Sequence, residues 1–157
     1  MKNKLVIILS IVLVILLSVI IILGINLKNK TTFSKPKFDD LASSTIPEDL
    51  NYEDNILKLV DGYSFYISAR PKIEEEYLII DFVSMIDNNT WIKVRIFDDE
   101  NKVMGETGLV KPGEYLEKVL LTKALSNNDN ISYKIIGYEM DTYMSAGTVD
   151  LKTRVGE

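Results

Sequence analysis

Hydrophobic residues follow two different patterns along this chain, one continuous and one alternating. Residues 5–25 form an apolar run in which only two serines and one glycine interrupt the large aliphatic residues. A helix of that length extends about 30 Å, which is the thickness of the hydrocarbon core of a bilayer. The run therefore predicts a transmembrane helix over residues 5–27 that anchors the chain in a lipid bilayer, with residues 1–4 as a short cytoplasmic tail.

A cleaved signal peptide is the alternative interpretation of this run. Signal peptides have an apolar core of roughly 7–15 residues and a small-x-small cleavage site. This run is longer, and residues 26–30 offer no such site, so we predict an uncleaved signal anchor. Lysines flank both ends, so the positive-inside rule is nearly balanced. The short N-terminal tail favours a single-pass protein of the cell membrane with an extracytoplasmic domain.

Residues 28–54 are polar and rich in lysine, and they lack a hydrophobic period. This composition is typical of a linker, so we interpret the segment as a stalk. The spacing of Thr45 and Glu48 matches a capping box, which predicts a short helix near residues 47–52. The pattern leaves open whether residues 47–60 belong to the stalk or to the domain that follows.

Beyond the stalk, the period of the apolar residues becomes two. The dipeptide Asp61-Gly62 lies between two apolar runs, which is a strong hairpin signal. From Tyr77 onwards, alternating segments are separated by polar turns; in residues 91–97, for example, isoleucine and valine alternate with lysine and arginine. About seven such strands, with turns every 8–12 residues or so, predict an all-β fold, an Ig-like antiparallel β-sandwich over residues 55–157.

Two aromatic residues refine this prediction. The spacing of Asp129, Tyr133 and Ile135 matches a tyrosine corner, with Ile135 in place of the second cysteine of an antibody domain. The alternative is that Tyr133 is simply an inward-facing aromatic residue. Trp91 resembles the core tryptophan of such domains, but Ile92 occupies the inward phase, which would place Trp91 on the outer face.

The composition excludes several classes of chemistry. The chain has no cysteine and no histidine, so it lacks thiol nucleophiles, disulfides, the commonest zinc ligands and the commonest general base. We therefore predict that the protein is not an enzyme and that it has no cofactor or metal. All 23 acidic residues follow the apolar run, and the formal net charge is −5. Because nucleic-acid binding needs a basic surface, we expect no nucleic-acid partner.

Two stretches of the chain carry a family resemblance. Residues 105–115 read GETGLVKPGEY, and residues 137–143 read GYEMDTY. They resemble small, N-terminally membrane-anchored β-sandwich proteins of Gram-positive bacteria, in which a GLIKPGE-like turn precedes an edge strand. The resemblance extends over about residues 63–155. It implies a sandwich outside the membrane, sometimes encoded on mobile elements, and it implies neither an activity nor functional residues.

One loop has the composition of a contact surface. Tyr138, Met140, Tyr143 and Met144 cluster around the connection between the last two strands, and tyrosine and methionine present large adaptable areas to a partner. The alternative is that they pack on their own loop. Residues 98–100 offer three carboxylates to a calcium ion, but such sites need about six to eight oxygens, which favours a solvated turn.

These patterns predict a function only in outline. The leading hypothesis is a membrane-anchored protein-interaction module that contacts another envelope protein, as an accessory component of a secretion or conjugation assembly. A surface receptor for an envelope ligand is the second hypothesis, and a pocket with convergent polar groups would favour it. A carboxylate-based hydrolase is the third, and it requires two acids about 5–10 Å apart in a cleft.

Overall fold

The computed structural model describes residues 12–18, 34–50 and 56–156, apart from the side chains of residues 56–61. The chain divides into two compact units, Met1–Lys35 and Pro36–Glu157. In the first unit, residues 12–18 are helical. In the parts of the chain that the structure describes, no helix combines the length and apolar composition needed to cross a bilayer. Most of the predicted anchor at residues 5–27 lies outside the described residues.

The described part of the second unit contains nine strands, which pair only in antiparallel fashion. They are β1 (Ile56–Asp61), β2 (Tyr63–Ser68), β3 (Lys72–Glu74), β4 (Tyr77–Ser84), β5 (Thr90–Phe97), β6 (Val103–Glu106), β7 (Tyr115–Leu120), β8 (Asn130–Glu139) and β9 (Ser145–Arg154). One sheet contains β1, β2, β4, β3 and β7, and the other has the order β6-β5-β8-β9. The prediction of an all-β fold is confirmed at this level.

The alternation in the sequence places one face of each sheet in a shared core. In β5, Ile92, Val94 and Ile96 are fully buried, whereas Lys93 and Arg95 face away from the core. From the other sheet, Phe65 and Phe82 contribute fully buried rings at a centroid distance of 5.9 Å. Burial of these apolar surfaces is the main force that holds the two sheets together.

Tyr63 ties the two sheets together from β2. Its hydroxyl donates to the carbonyl of Ile135 on β8, at 3.1 Å, and lies 3.4 Å from the carbonyl of Gly147 on β9. The pairing of β1 with β2 across Gly62 confirms the hairpin that Asp61-Gly62 predicts. On another side of the sandwich, the backbone N–H of Thr122 donates to the carbonyl of Met104, which joins the end of β7 to β6.

The central strand β4 has an irregularity in its middle. One edge of β4 pairs with β7, and the other edge pairs with β2 and then β3, which are separated by residues 69–71. The pairing with β7 also shifts between Ile79 and Phe82. Between them, Asp81 has a left-handed backbone with φ of 45°. Its carboxylate accepts a hydrogen bond of 2.7 Å from the hydroxyl of Tyr115.

The tyrosine corner predicted at Asp129 and Tyr133 is wrong. Tyr133 is fully buried, and its hydroxyl has no hydrogen-bond partner among the described residues. The Asp129 side chain instead accepts the backbone N–H of Ser126 at 2.8 Å. Tyr133 is therefore the inward-facing aromatic residue of the alternative interpretation. Trp91 is half-buried next to the fully buried Ile92, which confirms its place on the outer face.

The segment Pro36–Ser43, here called the N-terminal arm, packs along the residues before β7. The N–H of Leu109 donates to the carbonyl of Lys37 at 2.8 Å, and the N–H of Asp39 donates back to Leu109 at 3.0 Å. The predicted stalk spans residues 28–54, whereas the compact unit of the strands begins at Pro36. Near the predicted helix, the structure has a turn in which the N–H of Leu50 donates to Pro47; residues 51–55 lie outside the described residues.

Substitution of Gly108 by alanine should release the arm. A Cβ atom at this position would lie 2.5 Å from the backbone nitrogen of Asp39, so either the arm or the loop that contains Gly108 must move. Steric overpacking of this kind costs about 1–3 kcal/mol. We expect trypsin to cleave the full-length chain after Lys37 faster in Gly108→Ala than in the parent. In the control Gly156→Ala, where the nearest atom is 3.4 Å away, the rate should not change. Equal rates in both variants would contradict this docking of the arm.

Candidate functional site

The loop Gly108–Glu114 contacts the arm on one side and β5 on the other. Val110 and Ile92 exchange two backbone hydrogen bonds of 2.8 and 2.9 Å, which fix the loop to the start of β5. The N–H of Gly108 donates to the Asp39 carboxylate at 2.6 Å. Gly113 has a φ of 78°, a conformation that favours glycine. The GLVKPGE stretch therefore encodes a turn that receives the arm.

Three aromatic side chains meet beside this loop, and we call them the aromatic row. Phe38 of the arm contacts Trp91 edge-on, with ring centroids 4.9 Å apart and an interplanar angle of 83°. Trp91 in turn contacts Tyr143, at a centroid distance of 4.7 Å. The ammonium group of Lys111 lies 4.8 Å from the Phe38 centroid, a cation–π contact. Residues from the arm, β5 and the β8–β9 turn thus form one continuous outer surface.

The turn between β8 and β9 is held by its own hydrogen bonds. The N–H of Tyr143 donates to the carbonyl of Glu139, and the N–H of Glu139 donates to that of Met144, both at 2.9 Å. The Thr142 hydroxyl donates to the Glu139 carboxylate at 2.6 Å. Tyr143 has a left-handed φ of 59°. This geometry directs Tyr143 onto Trp91 and leaves the side chain of Met144 65% exposed.

The four contact residues predicted from the sequence occupy different positions around this turn. Tyr138 is the cross-strand partner of Trp91, so both lie on the outer face of the sheet. Tyr138, Met140 and Tyr143 are half-buried, whereas Met144 is exposed. Tyr143 packs on a neighbouring strand rather than only on its own loop. Their role as partner contacts stays a prediction.

Other apolar residues at the same end of the sandwich escaped sequence reasoning. Ile86, in the loop between β4 and β5, is 71% exposed, and Leu41 of the arm is 57% exposed. Phe38 and Leu41 lie in the segment interpreted as a stalk, where no period marks them. Ile86 follows the end of a strand, where alternation no longer assigns a face. Besides the tyrosines and methionines of the β8–β9 turn, the outward phase of Trp91 was the signal that could have indicated this surface.

A groove with a volume of about 940 Å³ lies where β3 and the end of β9 approach each other. Its lining includes Arg70, Lys72 and Arg154, together with Glu74 and Asp81. Among the described residues, none of the three cations forms an ion pair. Burial, with the hydrogen bond to Asp81, raises the pKa of Tyr115 far above its ordinary value of 10.0. Tyr115 therefore stays a hydrogen-bond donor to this carboxylate at physiological pH.

The outer face of the second sheet carries a small ion-pair network. Lys93 and Arg95 each lie 2.8 Å from a different oxygen of the Glu106 carboxylate. Burial raises the pKa of Glu106, but the hydrogen bonds and charges of Lys93 and Arg95 outweigh burial and leave this pKa below 4.5.

Residues 98–100, whose sequence offers carboxylates to calcium but favours a solvated turn, lie in a turn where the Asp98 side chain accepts the N–H groups of Glu100 and Lys102. Within the described ranges, no three acidic side chains converge as a metal site would require.

Comparison with known proteins adds no relative to this picture. No protein-family model matches the chain, and no curated protein or solved structure matches it either. By its fold, the protein belongs to the class of all-β proteins: it has two antiparallel sheets and resembles a β-sandwich.

Removal of Phe38 should be visible in the fluorescence of Trp91, the only tryptophan of the chain. Phe38→Ala removes the edge contact at 4.9 Å and admits water to the indole ring, so we expect emission at longer wavelength. The matched control is Phe97→Ala, which removes an aromatic ring from the other end of β5. A spectrum of Phe38→Ala identical to that of the parent would show that the arm does not cover Trp91 in solution.

Proposed function

We propose that the protein is a single-pass, membrane-anchored module whose extracytoplasmic, Ig-like sandwich binds another envelope protein. We further propose that it is an accessory component of a secretion or conjugation assembly of a Gram-positive bacterium. The observation that carries the binding role is the aromatic row with the exposed Met144 and Ile86 beside it. The membrane and envelope parts rest on the apolar run at residues 5–25 and on the family resemblance.

The composition of this surface supports a protein partner. Tryptophan, tyrosine and methionine are enriched at protein interfaces, and tryptophan and tyrosine dominate their energetic hot spots. Trp91 and Tyr143 are already in mutual contact, and the turn that carries Tyr143 is closed by backbone hydrogen bonds. Side chains held in place before binding lose less conformational entropy on binding, which raises affinity.

The location of the surface also suits this role. Loops at one end of a sandwich bear the recognition residues in antibody variable domains, because the strands behind them provide a fixed support. Here the arm, the β4–β5 loop and the β8–β9 turn all lie at the end where β5 begins and β8 ends. Binding would therefore place new contacts on loops without disturbing the core.

Alanine at both Tyr143 and Met144 should weaken binding of a co-purifying envelope protein about ten-fold or more. Loss of a hot-spot side chain costs about 2 kcal/mol, which corresponds to such a factor. The measurement is recovery of the partner with tagged full-length protein from its own host. The control Leu120→Ala changes a side chain that is 51% exposed but belongs to β7. Equal recovery with both variants would contradict a contact at the β8–β9 turn.

A photoreactive residue at position 144 would identify the partner directly. A crosslink to one protein from position 144, and none from position 120, is the expected result.

The groove supports a second candidate function, a receptor for an anionic envelope ligand. Arg70, Lys72 and Arg154 line it together, and none of them forms an ion pair among the described residues. Crosslinks to wall polymer from position 70, with none from position 144, would favour the receptor.

The proposed orientation has its own test. Protease added to protoplasts of the host should remove the strand-containing unit Pro36–Glu157, because we place it outside the membrane. Immunoblotting with an antibody against this unit measures its loss, and a cytoplasmic protein serves as the control for intact cells. Full protection of the unit, with digestion after lysis, would reverse the topology.

A further inference from the structure

Strand β9 has one backbone edge that pairs with nothing in the described structure. It is ten residues long, ends the order β6-β5-β8-β9 and pairs with β8 over its length. Among the described residues, no further backbone–backbone hydrogen bond involves Thr148–Arg154, although the Thr153 hydroxyl donates to the carbonyl of Ala69 near the end of the strand. A backbone edge without a neighbouring strand is a template for another strand.

The side chains of β9 are only partly covered on the core side. Val149 and Leu151 pack against the core cluster but stay half-buried, although their partners Ile135 and Tyr133 on β8 are completely buried. The segment contains no proline, and its one irregularity lies near Gly147, at the end next to the turn. A further strand beside β9 would complete the burial of Val149 and Leu151.

We propose that the occupant of this edge is β9 of a second copy of the chain, paired antiparallel about a two-fold axis at Leu151. This inference is independent of the proposed function. In this register, Asp150 lies opposite Lys152 of the second copy, and the symmetry repeats that pair. Opposite charges in directly opposed positions stabilise a strand pair.

Charge selects this register over its neighbours. Directly opposed residues of two antiparallel strands lie on the same face of the sheet. A two-fold axis must therefore place one residue of β9 opposite the same residue of the second copy. An axis at Asp150 would oppose two aspartates, and an axis at Lys152 would oppose two lysines. An axis at Val149 would place Asp150 opposite Thr148, without a charge pair. Lys134 of β8 already lies 3.8 Å from Asp150, so Asp150 would have a lysine on each side.

Disulfide trapping tests this register, because the chain has no cysteine of its own. In full-length Leu151→Cys, the two Cα atoms would lie about 4.5–5.5 Å apart, which allows a disulfide. We expect mild oxidation with copper–phenanthroline in an unfractionated lysate of the host to give at least ten-fold more covalent dimer than with Thr148→Cys. Position 148 is exposed on the same edge, but its copies would lie about 20 Å apart. Equal trapping at both positions, or none at position 151 in a chain with unchanged Trp91 fluorescence, would overturn the proposal.

Charge variants provide a second readout that does not depend on the fold of the cysteine variant. In the cysteine-free chain, amine-reactive crosslinking in the same lysate should give less dimer with Asp150→Lys than with the parent, because lysines would then oppose each other. Adding Lys152→Asp to the same chain should restore the dimer, since the opposed charges are again opposite. Failure of the second change to restore it would reject the Leu151 register, and a parent chain that gives only monomer would reject the second copy as the occupant.

Discussion

The close approach of Asp39 to Gly108 is the contact on which the candidate surface depends. Its carboxylate accepts the N–H of Gly108, and its backbone nitrogen would lie 2.5 Å from any Cβ at that position. This contact sets the path of the arm, and the path of the arm places Phe38 against Trp91. The absence of a side chain at Gly108 thus allows the arm to place the Phe38 ring against Trp91 of β5.

In the middle of β4, the regular pairing of the strands is interrupted. A left-handed aspartate within a central strand is unfavourable for the backbone, and such residues persist only where their surroundings hold them. The hydrogen bond from Tyr115 supplies one such constraint on Asp81. The interruption between β2 and β3 lies opposite Asp81 and gives Arg70 and Lys72 a place on the groove wall. The irregularity and the polar groove are therefore parts of one local arrangement.

Periodicity predicted the parts of the fold in which one face of a strand is buried. The alternation from Ile92 to Ile96 placed each side chain correctly, because hydrophobic burial alone decides which face points inward. The same alternation could not distinguish a tyrosine corner at Tyr133 from an inward aromatic ring, because both put the ring in the same phase. Only the hydrogen bonding of the hydroxyl separates them, and spacing does not encode it.

The candidate surface was harder to predict, because it is assembled from backbone contacts between distant segments. Besides the Asp39 carboxylate, the arm is attached by backbone hydrogen bonds of Lys37, Asp39 and Ser43 with residues about 70 positions further along, and none of these backbone bonds requires a particular side chain. Composition marked Tyr143 and Met144, since tyrosine and methionine in a turn are conspicuous. It could not mark Phe38, a single aromatic residue in a polar segment without a period.

The two sides of the second sheet differ in a way that follows from their partners. The β6 side is closed through Met104 and Thr122 by the end of β7, whereas beyond β9 the described structure holds no further strand. Yet β9 begins directly after the turn that carries Tyr143 and Met144, and the Tyr63 hydroxyl reaches the Gly147 carbonyl of β9 from the other sheet. A strand added at this edge would thus restrain the same hairpin that presents Tyr143 and Met144. Two copies joined in this way would present two contact surfaces, and a partner with two sites would then bind through both, with the second contact favoured by high effective concentration.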